Sequence, residues 1–181
     1  WKKDFKDCYS KIVELFYGQT VTFIKVDGKV KSTTYNPMCF LPLPISNNNK
    51  EINIYDCFDN FVENELLNGD NQWHCDKTNK YYDAEKQTLF WKLPNIVIIS
   101  FKRFDNFGRK INMKIDFPIK NLDLSKYCVG YNKNKYKYDL FSICNHIGSN
   151  NYGHYYSYNK KGDKWYEFDD DSVQEIPEEN L

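Results

Sequence analysis

The sequence predicts an α+β fold in which antiparallel sheet dominates, and three observations indicate it. Aromatic residues, which are enriched in strands, make up 18% of the 181 residues, with 15 Tyr and 13 Phe. Helical periodicity is confined to two short segments, and the chain closes with a pattern typical of a β-hairpin. The length fits one domain, and no internal repeat or linker interrupts it.

The first elements read as a short helix followed by a hairpin. Apolar positions within residues 1–17 suit one or two amphipathic helical turns, with Ser10 as N-cap of SKIVELF and Gly18 as the end. Val21–Val26 reads as a strand, and a second strand runs toward Thr34. Asp27-Gly28 between them is a strong hairpin signal.

The middle of the chain alternates between extended and helical patterns. Prolines make 37–45 an extended segment at a sheet edge, and 47–49 (NNN) reads as a loop. Residues 54–67 have helical periodicity that ends at Asn68-Gly69. Residues 94–104 (PNIVIISFKRF) read as a continuous buried strand. The sequence also predicts short strands and a turn over 72–86, a turn at 106–108 and an alternating segment over 109–117.

The closing hairpin carries the residues that are best suited to catalysis. Tyr152–Tyr158 and Trp165–Phe168 read as strands joined by the polar segment 159–163. Folding about Lys161 places His154 opposite Phe168 or Asp169. A register change of one residue decides which aspartate faces the histidine, so Asp169 and Asp170 are both open. Either carboxylate could accept a hydrogen bond from one imidazole nitrogen and leave the other nitrogen as a base.

The bulk composition excludes several classes of partner. Lys+Arg and Asp+Glu are 25 each, so the net charge is zero, and no basic block indicates nucleic acid or an anionic membrane. The longest apolar runs are too short to span a bilayer. The six cysteines have no repeated short spacing and are typical of free thiols in a reducing compartment, the cytoplasm or nucleus.

Five segments, in order, resemble the ubiquitin-specific proteases, a branch of the papain-like cysteine peptidases. The segments are SKIVELFYGQ (10–19), MCFLPLPI (38–45), KLPNIVIISFKRF (92–104), IDFPIKNLDLSKY (115–127) and the histidine-containing segment 138–173. The resemblance implies a single partial protease domain with β-rich fingers over about 19–91 and a palm over about 92–181. It implies no cofactor.

The resemblance also assigns roles within the closing hairpin. It implies that His154 is the general base, that Asp169 orients it and that Asp170 supports the site. It implies substrate-binding roles for Tyr152, Gly153, Tyr155 and His146. The partner would be ubiquitin or a ubiquitinated protein, cleaved after the ubiquitin Gly-Gly tail.

Two departures from the family pattern concern cysteines. The family's cysteine box and helical thumb have no counterpart in this sequence, and Cys8 lies too close to the 10–19 segment to serve as nucleophile. We therefore expect another segment or chain, N-terminal to this one, to supply the nucleophile and to cover apolar surface. The family's zinc-binding Cys-x-x-Cys pairs are reduced to Cys75 alone, so we expect no metal.

Three functions fit this sequence. The first is the His/Asp portion of a deubiquitinase. The second is a scaffold that binds ubiquitin without chemistry. The third is a protease of another ubiquitin-like modifier, since surface contacts decide the modifier.

Overall fold

The fold is taken from a computed structural model that describes residues 10–45, 51–131 and 135–181. The predicted loop at 47–49 lies outside the described residues, as does Cys8.

Two α-helices lie in the described part of the chain. Helix α1 spans Lys11–Phe16, and the Ser10 hydroxyl accepts a bond from the Val13 amide at 3.4 Å, which confirms the predicted N-cap. Helix α2 spans Ile54–Val62 and starts with a capping box formed by Asn53 and Asp56. It is shorter than predicted, because the last residues of 54–67 form a strand that pairs with a distant part of the chain.

A four-stranded antiparallel sheet, the N-terminal sheet, has the order β2-β1-β8-β5. Its strands are β1 (Gly18–Val26), β2 (Lys29–Met38), β5 (Glu65–Leu67) and β8 (Ala84–Lys92). The β1–β2 turn is the predicted one, and Asp27 and Gly28 both have positive φ, 50° and 71°. Gly18 begins β1 and does not cap α1. A Cβ there would lie 2.4 Å from the Lys92 carbonyl oxygen, so the strands need a glycine at this position.

Short strand pairs lie outside the two large sheets of the described residues. Parallel pairs join β3 (Leu41–Leu43) to β9 (Ile99–Phe101) and β4 (Ile52–Asn53) to β10 (Ile115–Asp116). Antiparallel pairs join β6 (Trp73–Cys75) to β7 (Lys80–Tyr82) and β11 (Leu122–Asp123) to β12 (Lys137–Tyr138). Single 3₁₀ turns cover Gly69–Asn71, Ser125–Tyr127 and Glu178–Asn180.

The predicted buried strand over 94–104 is wrong in length and in burial. Only Ile99–Phe101 is a strand, and Ile98 is 47% exposed. Apolar β-branched residues predict a strand wherever they occur, but only the three residues Ile99–Phe101 of this segment pair with a neighbouring strand, β3. The alternating segment 109–117 likewise contributes only the two-residue strand β10.

The main hydrophobic core lies between α2, β3, β8 and the segment after β11. Phe58 and Phe90 are fully buried in it, and Phe61 stacks on Phe90 with ring centroids 5.4 Å apart. A second, smaller core of Ile24, Val26 and Ala84 packs against Trp73 and Tyr82.

The chain ends in a second four-stranded antiparallel sheet, the C-terminal sheet, with the order β13-β14-β15-β16. Its strands are β13 (Ser142–Gly148), β14 (Gly153–Lys161), β15 (Lys164–Asp169) and β16 (Ser172–Ile176). The predicted hairpin is confirmed, but its register is wrong. The chain turns at Gly162-Asp163 and not around Lys161, so Phe168 pairs with Ser157 and the β14–β15 ladder ends before His154.

Apolar side chains are exposed on the C-terminal sheet and on a neighbouring turn. They are Phe107 (83% exposed), Tyr152 (78%), Tyr155 (65%) and Ile147 (62%). No helix in the described ranges has both the length and the apolar character needed to cross a membrane.

Candidate active site

The strand register brings His154 and Asp169 together. Since Ser157 lies opposite Phe168, alternation places His154 and Asp169 on one face of the sheet. Asp169 is the last residue of β15, and its side chain reaches diagonally toward His154, beyond the end of the ladder.

The contact between the two side chains is a hydrogen bond from His154 Nε2 to Asp169 Oδ1. Both side chains remain open to solvent, at 44% and 43% exposure. This hydrogen bond, with the negative charge of Asp169, raises the pKa of His154 above its ordinary value. His154 Nδ1 has no hydrogen-bond partner among the described residues, so the imidazole keeps one nitrogen free for chemistry.

The three consecutive aspartates divide between a strand and a turn. Asp170 follows β15 with φ of 49° and starts the turn to β16. Its charge also raises the pKa of His154, by less than Asp169 does. The ligand atoms of His154, Asp169 and Asp170 lie within 4.8 Å of one another, and no other group of the described residues is compact enough for a metal ion.

The other predicted site residues surround the turn between β13 and β14. His146 pairs with Tyr155, and their rings lie 4.7 Å apart at 34°. A Cβ on Gly153 would lie 2.3 Å from His146 Nε2, so the space that the glycine leaves is used by this imidazole. Tyr152 is in the turn and is largely exposed.

Gly153, Tyr155 and His146 lie on the face of the sheet opposite His154. Alternation along β14 directs Gly153 and Tyr155 to the face opposite His154, and the pairing with β13 puts His146 on that opposite face as well. The predicted site is therefore two groups of side chains on the two faces of one hairpin end.

One contact at this hairpin end is absent from the sequence predictions. Lys110 Nζ lies 2.6 Å from the His146 carbonyl oxygen and 3.2 Å from His146 Nδ1. The two residues are 36 positions apart in the sequence. The turn predicted at 106–108 is the one sequence pattern near Lys110, and it does not indicate His146 as the partner.

The described cysteines are all free thiols, and they differ in their burial. Cys57 and Cys128 are buried, and burial raises the pKa of each thiol. Cys144 is exposed on β13 opposite Ser157, on the face away from His154. Cys39 follows β2 and Cys75 ends β6.

Known structures share this arrangement of sheets. A chain of the SAGA DUB module of Ubp8, Sgf11, Sus1 and Sgf73 bound to monoubiquitin matches with a TM-score of 0.80 at 30% identity, over 96% of this chain and 39% of that one. The same module bound to ubiquitin aldehyde matches with a TM-score of 0.80 at 31% identity, over 98% and 41%. The fold is the α+β, papain-like fold of the ubiquitin-specific proteases.

Sequence comparison leads to the family. The ubiquitin carboxyl-terminal hydrolase family model matches residues 1–181, and the chain belongs to that family. Ubiquitin carboxyl-terminal hydrolase 8 of Arabidopsis thaliana is 37% identical over 139 residues, which is 73% of this chain and 16% of that protein. Ubiquitin carboxyl-terminal hydrolase 15 of Homo sapiens is 32% identical over 136 residues, 72% of this chain and 14% of that protein.

Proposed function

We propose that this chain contributes the histidine and the aspartate of a Cys–His–Asp site that hydrolyses the bond after the Gly-Gly tail of ubiquitin. The hydrogen bond between His154 Nε2 and Asp169 Oδ1, on a solvent-open sheet face, is the observation that carries the proposal. It supports Asp169 as the residue that orients the imidazole, with Asp170 as a supporting charge. Membership of the hydrolase family gives the substrate class.

The free nitrogen of His154, Nδ1, is the atom that exchanges protons in the proposed reaction. Because Nε2 donates to Asp169, Nδ1 is the base that takes the proton of the attacking thiol. The thiolate adds to the glycine carbonyl carbon, a thioester forms, and the lysine amine leaves with the proton from His154. Water then attacks the thioester, giving its proton to His154, and the free tail carboxylate and the thiol are released.

Asp169 has two effects in this cycle. It holds the imidazole in the tautomer whose Nδ1 carries the lone pair, and its charge stabilises the imidazolium formed between the two proton transfers. The raised pKa of His154 is the equilibrium expression of the same stabilisation.

We infer that the nucleophilic cysteine is supplied by a segment N-terminal to this sequence. Cys144 sits three residues along the hairpin from His154, roughly 10 Å at the rise of a strand, and on the other face. The raised pKa values of Cys57 and Cys128 disfavour the thiolate that attack requires.

We propose that residues 19–91 and 92–181 act as the fingers and the palm that hold the body of ubiquitin. A solved module with a chain similar to this one is bound to monoubiquitin, which supports ubiquitin as the partner. The tail would then pass Tyr152, Gly153, Tyr155 and His146, whose aromatic and glycine surfaces border a narrow path.

We expect the fingers to be stable without zinc. Both nitrogens of His74 are already used, Nδ1 with Asp76 at 3.2 Å and Nε2 with Asn79 at 3.1 Å. The ring also contacts Tyr81 at 5.0 Å, and the smaller core packs nearby around Trp73 and Tyr82. A metal assay that finds about one zinc per chain, the content of one structural site, would contradict this expectation. The free thiols suit a reducing compartment, the cytoplasm or nucleus.

Reaction with a ubiquitin C-terminal electrophile tests the proposal. The 181-residue chain by itself should stay unlabelled, and the protein extended upstream should be labelled on one cysteine. Labelling of the 181-residue chain would show that its own cysteine is the nucleophile. An extended protein that binds ubiquitin without labelling would support the scaffold function, and one that labels only with another modifier's electrophile would support the third function.

A further inference from the structure

The side chain of Lys110 is held against His146 by a tight hairpin that runs from Arg103 to Ile111. Phe104 and Lys110 form a backbone bridge, and the Ile111 amide donates to the Arg103 carbonyl at 2.7 Å. Asp105 closes the turn by accepting from the Phe107 and Arg109 amides at 2.8 and 2.9 Å. The position of Lys110 is therefore set by its own backbone.

The two contacts of Lys110 determine the chemistry of His146. A lysine ammonium has three donors and no acceptor, so a bond to Nδ1 requires that Nδ1 carry the lone pair. The proton of the neutral ring is then on Nε2. The second bond, to the His146 carbonyl oxygen at 2.6 Å, fixes the ammonium relative to the same residue.

We propose that Lys110 is a positioning residue that holds His146 as the Nε2–H tautomer, so that His146 offers a hydrogen-bond donor to the extended tail of the substrate. This inference rests on the proposed function. It adds a residue outside the closing hairpin to the substrate-binding part of the site.

The surroundings of His146 leave this donor available. The centroid of the His146 ring lies 4.7 Å from that of Tyr155 and 6.2 Å from that of Phe104. Nε2 is directed over Gly153, and it has no hydrogen-bond partner among the residues that the structure describes. An extended peptide carries a carbonyl acceptor on every residue, and the exposed Tyr155 ring gives it an apolar surface beside the donor.

The face on which His146 lies predicts which kinetic constant responds. His146 is on the opposite face of β14 from His154, so it contacts bound tail and not the reacting atoms. Loss of the donor should therefore weaken binding equally in the ground and transition states, which raises KM and leaves kcat unchanged.

Nitrogen NMR of the ligand-free protein tests the tautomer without any substrate. With histidine labelled by ¹⁵N, the His146 signals, assigned by their loss in His146→Gln, should show the Nε2–H pattern in the wild type. Lys110→Met should abolish that preference, and Lys110→Arg, also a pure donor, should retain it. Lys114→Met is the matched control, since Lys114 is 88% exposed and pairs with Asp116. A wild-type His146 that carries its proton on Nδ1, or a tautomer unchanged in Lys110→Met, would overturn the inference.

Steady-state cleavage of a C-terminally fluorogenic ubiquitin by the upstream-extended protein tests the role in binding. Lys110→Met should raise KM by about threefold to tenfold, the range expected for one lost hydrogen bond, with kcat within about twofold. Lys110→Arg should recover most of the KM, and Lys114→Met should match the wild type. A change confined to kcat, or no change, would overturn the role. If the wild type cleaves no ubiquitin substrate, the proposed function fails and the nitrogen spectra decide the tautomer by themselves.

Discussion

The N-terminal and C-terminal sheets have the same number of strands and the same antiparallel pairing, yet they differ in what their surfaces face. In the N-terminal sheet, Val21 and Phe90 are fully buried, and β1 pairs with β8 across a long stretch of chain. In the C-terminal sheet the strands follow one another directly, and Trp165 is its one buried hydrophobic residue among those described.

The N-terminal sheet therefore contributes mainly to stability, and the C-terminal sheet carries the candidate site. The N-terminal sheet buries apolar surface against α2 and the segment after β11, so its side chains hold the fold together. The C-terminal sheet exposes its histidine, its aspartate and several aromatic rings, as a surface that acts on a substrate requires.

The largest effect is expected from a cavity beneath the N-terminal sheet. Phe90→Ala removes a ring that stacks on Phe61 and meets Phe58 edge-on, so it should lower the free energy of unfolding by about 3–5 kcal/mol. Val173→Ala on β16, 57% exposed, should change it by less than about 0.5 kcal/mol. Urea unfolding measures both, and comparable losses in the two variants would erase the contrast between the sheets.

A large effect on rate, without a large effect on stability, is expected at Asp169. Asp169→Asn removes the charge that stabilises the imidazolium and should lower kcat by about 100-fold to 10,000-fold. Asp170→Asn, in the turn, should lower it by less than about tenfold, because Asp170 acts on His154 only through its charge. Steady-state kinetics of the upstream-extended protein give both values. The reverse order would move the orienting role to Asp170.

An intermediate effect is expected at Gly153. In Gly153→Ala the new Cβ would meet His146 Nε2 at 2.3 Å and the Ile147 carbonyl oxygen at 2.5 Å, which displaces both strands near the site. A displacement of this kind should lower kcat/KM by roughly tenfold to 100-fold. Gly162→Ala has nothing within 4 Å of its new Cβ and strains only a turn with φ of 62°, so its activity should match the wild type. Equal activity of the two variants would show that the close approach at Gly153 is unimportant.

The smallest effect concerns the pH dependence of stability. The bond to Asp169 raises the pKa of His154 in the folded state above the value of 6.5 that it has in the unfolded chain. The bond therefore contributes stability fully below pH 6.5, and this contribution disappears as the pH rises through the folded-state pKa. Asp169→Asn should destabilise the protein more at about pH 5.5 than at about pH 8.5 in urea unfolding. A larger loss at the higher pH would mean that the folded-state pKa is lowered.

Local signals in the sequence were reliable, and long-range ones were not. Asp27-Gly28 predicts its hairpin because the turn depends on two adjacent residues. The helix over 54–67 is predicted too long because its last residues pair with β8, and nothing local reveals that partner. The run over 94–104 shows the same limit, since apolar character does not say how many residues will find a neighbouring strand.

The candidate site divides in the same way. The residue pattern predicts that a histidine and the aspartates share one hairpin, and the resemblance to the family implies that Asp169 orients the histidine. The register by itself would have misplaced His154, because the turn occurs later than its polar composition suggests. Lys110 could not be predicted, since its contact with His146 depends on how two distant hairpins pack.

The rate of labelling by a ubiquitin C-terminal electrophile tests the role of His154 most directly. In the upstream-extended protein, His154→Gln should lower the second-order labelling rate by about 100-fold to 10,000-fold, because the thiol loses its base. Gly162→Ala, in the turn between β14 and β15, is the control and should label at the wild-type rate. Equal rates for His154→Gln and the wild type would show that another group activates the nucleophile, and would contradict the assignment of His154 as the base.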